Sequence, residues 1–397
     1  MGRREEAKPR KLVKKEMNIS EAQPFIWQRL NKIKSNDKIG TSYLFSGPVG
    51  CGKEWCAIEF SKLINCELEQ SKPCSSCASC QKFSALQHEN LNLVFPLPSI
   101  SKSKTEDDPI KSINKEDYEL ILEMIGSKSK DPFYKINLPS ARRITINSIR
   151  FLRKTLYLTS QNSSRKIVVI FDAHLLSEGA GESANALLKI LEEPPNNTSL
   201  ILVTDKKSKL PLTIISRCQQ VDFSSLPFDV VRKLIENDKI DNDRATQLAM
   251  LSNGNMHLAK ELASKDIDFP IEEAYTLLKS LTLLDQNTWR NSINDFSMLA
   301  LRKPDEFIFK INLIQMWMNI ALKFKYDRKD LPLLDSELDS FEEFTNKFPN
   351  ANFFEINILL EKAIVALSRN LYMPLFILDM MISIQTLLKG KKPKITI

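Results

Sequence analysis

The sequence never runs to the roughly 18 consecutive apolar side chains that a helix needs to cross a bilayer, so no membrane span is expected. Met1 to Ser20 is basic and has no apolar segment; it lacks the core of a secretory signal and reads as a disordered leader. These two absences make a cytoplasmic location the expectation. No short-period repeat and no long heptad run stands out, which argues against a repeat array or an extended coiled coil. One further absence is chemical. Gly47-Pro48-Val49-Gly50-Cys51-Gly52-Lys53-Glu54 follows the phosphate-binding loop pattern up to its last position, where Ser or Thr should follow the lysine. That hydroxyl normally sits on magnesium while the lysine reaches the terminal phosphates. A carboxylate there faces phosphate oxygens of like charge, which points to a nucleotide-binding architecture kept for some purpose other than hydrolysis.

What is present is ordinary for a globular chain. With 397 residues, 43% apolar and 26% charged, two or three domains with real cores are expected. A formal charge of +7 permits contact with nucleic acid without demanding it, because lysines also keep proteins soluble.

Apolar spacing predicts a helix over 24–37 through Phe25, Ile26, Leu30 and Ile33, then a short strand at Ser42-Tyr43-Leu44-Phe45. A second helix, 54–64, follows through Trp55, Ile58, Phe60 and Leu63. Strand, glycine turn and helix in that order is the setting a phosphate loop requires. Residues 99–140 shift in composition and read as a solvated insertion or flexible excursion, with a helix over 115–125. A helical pattern resumes over 149–158. Lys166 to Phe171 and Ser199 to Val203 are continuous apolar runs of the kind buried in a parallel sheet, and the helix between them stops at Glu192-Glu193-Pro194-Pro195. Recurrent strands and helices argue for an open α/β sheet to about residue 224, and beyond Pro227 the patterns are helical. The division expected is a leader over 1–20 and an α/β domain over 21–225, the latter containing a cysteine module at 66–80 and the insertion at 99–140. A small helical domain over 226–268 and a larger one over 269–397 follow.

Gly47, Gly50 and Gly52 supply the backbone freedom for N–H groups to face phosphate, with Lys53 beside them. Asp172 ends a buried strand, the place for a metal-directed carboxylate. Ala173 occupies the next position, where an acid would activate water, and a methyl group does neither job. His174 is displaced by one residue and reads as a local hydrogen-bonding histidine. Nucleotide binding without turnover stays open.

Cys66, Cys74, Cys77 and Cys80 are spaced to give a closed tetrahedral shell of thiolates, which fits structural zinc; an iron–sulfur centre or a redox Cys-x-x-Cys pair are the alternatives. Without an export signal, disulfides are the weaker reading. Cys51 and Cys56 read as local packing.

Several segments in combination resemble the clamp-loader branch of the AAA+ proteins, most closely its delta-prime type in bacterial DNA polymerase III. They are Ser46 to Lys53, the four-cysteine knuckle, Asp172-Ala173-His174-Leu175-Leu176, the stretch from Ala184 to Pro195, and Ser216-Arg217-Cys218. The likeness is clear over about 24–265 and weaker beyond. It implies an AAA+ P-loop-type sheet domain, a helical lid and a C-terminal helical collar. The assembly it implies is a heteropentamer with gamma/tau and delta subunits that opens the sliding clamp and places it on primer–template DNA. Arg217 is then implied as an arginine finger acting in trans on a neighbour's ATP, and Thr204 as the polar sensor of the degenerate site. His257, in Gly254-Asn255-Met256-His257, stands in the second sensor region, where active relatives use arginine, and its expected role is helix packing. Glu54 and Ala173 both depart from the ATPase subunits of the family.

Leu313, Ile314, Trp317, Met318 and Leu322 make a broad apolar face that reads as core or collar packing; Pro374 is expected to kink or end a helix. Lys389, Lys391, Lys392 and Lys394 read as a solvated tail, with weak DNA contact as the other reading. Two competing functions are an active gamma/tau-type clamp-loader ATPase and a zinc-containing DNA-binding module. Glu54 and Ala173 speak against the first; the phosphate loop, Arg217 and the helical extension go unexplained by the second.

Overall fold

The computed structural model describes residues 17–68, 71–98, 108–110, 112–139, 141–157, 164–237, 240–265, 270–282, 286–326, 335–367 and 371–393. Most of the expected leader, the polar stretch 99–107 and Lys394 lie outside these. The chain divides into two compact units. The first runs to Thr246 and includes Gly254–His257; the second comprises Gln247–Asn253 and the chain from Leu258.

In the first unit, five strands make one sheet: β1 (Ser42–Ser46), β2 (Leu91–Val94), β3 (Lys166–Ile170), β4 (Thr198–Thr204) and β5 (Gln219–Asp222). Their order is β2-β3-β4-β1-β5 and every pairing is parallel. A parallel sheet is covered on both faces, so its central strands carry apolar side chains at successive positions. β1 and β4 are buried along their whole length. On one face Leu44, Val168, Ile170, Leu200 and Leu202 pack with Ile149 and Leu152 from the Ile146–Tyr157 helix and Leu187 and Ile190 from the Glu182–Glu192 helix. Alternation turns Tyr43 the other way, edge-on to Phe60 of the Lys53–Ile64 helix with centroids 5.4 Å apart. The carboxyl ends of β1, β3 and β4 therefore open on the same edge of the sheet, where α/β folds hold ligands.

The insertion departs from the expectation. Its helix runs Lys115–Lys130 and buries Lys128, and the chain after it is packed, with Phe133, Ile136 and Leu138 all buried. The physical reason is that this end of the insertion carries apolar side chains and finds acidic partners, described below.

The second unit is helical. Its Pro304–Tyr326 helix is buried around most of its circumference, and Trp317 stacks between Tyr275 and Phe341 at centroid distances of 5.2 and 4.4 Å. Such ring pairs contribute about 0.5–1.5 kcal/mol beyond the area they bury. Pro374 neither kinks nor ends a helix. It sits in the first turn of the Met373–Leu388 helix, where its missing N–H leaves no internal bond unmade.

Candidate functional site

β1 delivers the chain into the glycine turn, and the Lys53–Ile64 helix leaves it. Gly50 takes φ 69°, and a Cβ there would lie 2.6 Å from the backbone nitrogen of Met256, so both conformation and crowding demand glycine. The Met256 N–H donates to Gly50 O at 3.2 Å. Gly52, at φ 86°, makes the left-handed turn into the helix.

Lys53 does not point outward. It is buried, and its ammonium donates to the carbonyl oxygens of its own loop, Gly47 at 2.8 Å and Pro48. Glu54, at the anomalous position, is ion-paired with Lys128, whose side chain is 0% exposed. Lys128 also donates to Pro132 O at 3.0 Å and lies 5.3 Å from the ring centre of Phe171. Burial by itself would lift the Glu54 carboxyl; the Lys128 and Lys135 ammonium groups outweigh that and hold it below its ordinary range. Glu54 is therefore an anion matched to an internal cation.

Asp172 stands directly after β3 in a left-handed conformation, φ 48°, and accepts from Lys135 at 3.0 Å. The Lys135 side chain is 42% exposed overall; desolvation near its ammonium works against the charge, but Asp172, Glu54 and Asp205 together raise it above the usual lysine range. Thr204, at the end of β4, is buried; its hydroxyl meets His174 Nδ1 at 3.0 Å and accepts from the Lys206 N–H at 3.0 Å. His174 is thus a local hydrogen-bonding residue, as expected, and burial lowers its pKa. His257 instead borders the pocket, with Phe133 edge-on to it at 6.4 Å, and burial brings its imidazole down to about 4.

These groups surround a cavity lined by Gly50, Gly52, Lys53, Glu54, Asp172 and Thr204 together with Pro132, Phe133, Lys135, Asp205 and His257. Its free volume is about 30 Å³. The sequence-predicted loop, Asp172 and Thr204 are brought together. Lys128, Phe133, Lys135 and Asp205 are site residues that sequence reasoning missed; the first three lie in the insertion, where no motif marks them.

Arg217 does not line this cavity. It follows the short Leu212–Ile215 helix, is 37% exposed, and donates to Glu192 at 2.7 Å and to Thr213 O at 2.9 Å. Exposed ion pairs of this kind contribute about 0–1 kcal/mol, so the guanidinium is held in place but cheaply released.

The four cysteines converge. Their sulfur atoms all lie within 4.8 Å of one another. Zn–S bonds of about 2.3 Å in a tetrahedron set sulfurs about 3.8 Å apart, and Cys74 Sγ to Cys80 Sγ measures 3.8 Å. Backbone N–H groups support the thiolates: Cys77 N–H donates to Cys74 Sγ and Cys80 N–H to Cys77 Sγ, both at 3.3 Å. The first of these, with Ser76 beside it, lowers the Cys74 thiol, whereas burial raises that of Cys80. The donor set and spacing fit a soft, four-coordinate cation. Cys51 and Cys56 lie outside the cluster and are buried, as expected.

The family model described as "DNA polymerase III, delta subunit" matches residues 22–227. The delta' subunit of DNA polymerase III from Bacillus subtilis (strain 168) is 30% identical over 253 residues, 64% of this chain and 62% of that protein. The tau subunit from the same strain is 27% identical over 285 residues, 69% of this chain and 42% of its own length. The tau subunit of Escherichia coli (strain K12) is 29% identical over 237 residues, 58% of this chain and 30% of that subunit. The chain thus spans less than two thirds of the length of each of these relatives.

Proposed function

The chain belongs to the clamp-loader family of bacterial DNA polymerase III, and from that premise we propose that it is a non-hydrolysing, delta-prime-type subunit. Its role is to support ATP-dependent loading of the sliding clamp on primer–template DNA, beside gamma/tau- and delta-type subunits in a heteropentamer. The sheet domain, a lid over 226–268 and a collar over 269–397 are the parts such a subunit uses. The observation that carries the reading is Glu54: where an ATPase places a hydroxyl on magnesium, this chain holds a carboxylate paired to its own Lys128. Ala173 removes the second requirement, since it cannot activate water. Arg217 is the part kept for chemistry. Its planar cation suits paired contacts to phosphoryl oxygens, and it acts in trans on the ATP of a neighbouring subunit as charge develops in the transition state. Structural zinc held by Cys66, Cys74, Cys77 and Cys80 belongs to the same proposal; its closed shell leaves no position for catalysis.

Similarity to a tau subunit over 69% of the chain favours a second reading, an active gamma/tau-type ATPase. Magnesium-dependent ATP turnover by the purified chain separates the two. The proposal expects a rate no higher than that of a Lys53→Ala variant. Robust turnover that disappears in Lys53→Ala establishes the ATPase reading instead.

A further inference from the structure

Glu54 and Asp172 stand where a phosphate-binding site would carry its metal ion, and each is met by an ammonium group from one short stretch, Lys128 to Lys135. We infer that this stretch is the pocket's own ligand: its two lysines supply the cationic charge, Phe133 fills the space beside the loop, and a nucleoside triphosphate is shut out. The inference rests on reading residues 47–54 as a degenerate nucleotide site.

Charge, shape and space support it separately. A lysine as buried as Lys128 requires partners, and it has them in Glu54 and the Pro132 carbonyl, the latter within the stretch itself. Beside its buried apolar side chains, this part of the chain sets two cations on two carboxylates, which covering the sheet alone would not require. Phe133, 5% exposed, lies edge-on to Trp55 at 5.7 Å and to His257 at 6.4 Å, so its ring occupies the mouth of the loop. The remaining space, about 30 Å³, is far below the roughly 300–1,000 Å³ of small-molecule sites. Lys53 completes the picture by bonding the loop's own carbonyls. A triphosphate entering here would have to displace Phe133, break the Glu54–Lys128 pair and turn Lys53 outward. Lys135, the other cation of the lining, is already paired with Asp172.

The test uses the full chain and two readouts. In thermal unfolding, Glu54→Thr and Lys128→Met are each expected to lower Tm by roughly 5–10 °C, since each strands a charge, while the double variant recovers most of the loss. Additive losses would overturn the inference. In titration with a fluorescent ATP analogue and magnesium, the wild-type chain is expected to show no saturable binding up to about 1 mM. Glu54→Thr/Lys128→Met carrying Phe133→Ala and Lys135→Ala as well is expected to bind at least about tenfold more tightly than that limit. Saturable binding by the wild-type chain overturns the inference, as does failure of the four-site variant to bind while its circular dichroism matches wild type. ATP hydrolysis by the wild-type chain strikes the degenerate-site reading itself. Additive Tm losses without hydrolysis strike only the occupant.

Discussion

Replacing Arg217 by Ala in an assembled clamp loader is expected to slow hydrolysis at the neighbouring subunit's ATP site by about 10³-fold, equivalent to about 4 kcal/mol of transition-state stabilisation. The magnitude follows from the role proposed for the guanidinium, which is to meet charge on the transferring phosphoryl group where water is excluded. Folding of this chain is not expected to suffer. Arg217 is 37% exposed, and its bond to Glu192 is a surface pair of small net value. Lys at this position is expected to restore little, because a point charge lacks the paired donor geometry. Single-site turnover and clamp loading, measured with the variant and with wild type in the same assembly, give the answer. Unchanged values for both would remove Arg217 from the neighbour's chemistry.

The site was readable in the sequence to different depths. The glycine turn, Lys53, Asp172 and Thr204 were found because a phosphate loop imposes fixed spacing and because buried parallel strands leave continuous apolar runs ending at the site. The cysteines were found because ligand spacing is local. Their convergence to within 4.8 Å needed only a short knuckle and the end of one helix. β2 escaped notice: Leu91-Asn92-Leu93-Val94 is four residues at the sheet edge, half-buried, with too little pattern to separate it from a loop. The packing of the insertion is not legible in the sequence for a deeper reason. Lys128 and Lys135 look like solvent-exposed charges in any local window, and only the fold brings Glu54 and Asp172 to them. A charge pair 74 residues apart in sequence has no local signature. Pro374 shows the converse, since a proline marks a helix boundary without saying whether the helix is ending or beginning.

Removal of the zinc proposed for the four cysteines is expected to have the other large effect. Structural zinc sites bind with apparent free energies of about 10 kcal/mol or more at neutral pH, and in small modules that binding energy is folding energy. Here the Ala78–Ser84 helix is seven residues long and its first turn carries one ligand, Cys80, directly after Cys77 at its N-terminus. So short a helix is not stable alone. Elemental analysis is expected to find about one zinc per chain, consistent with a single four-thiolate shell. Chelation is expected to release it, unravel the Ala78–Ser84 helix, and make four thiols reactive at once. Cys56 and Cys218 offer the internal control: burial raises both thiols, that of Cys218 to about 12, so they stay unreactive while the sheet domain is folded. Iron in place of zinc, or a correctly folded chain with no metal, contradicts the assignment.

Glu54, Ala173 and Arg217 together carry the proposal that this subunit has given up its own turnover and retains a part in its neighbour's. The most direct measurement is the structure of the assembled loader with a non-hydrolysable ATP analogue. Arg217 is expected to be released from Glu192 and set against the terminal phosphate of the neighbour's nucleotide, with Lys128 still on Glu54 and no nucleotide in this chain's own loop. Nucleotide and magnesium seated on Lys53 in this chain, with Arg217 still on Glu192, would contradict it.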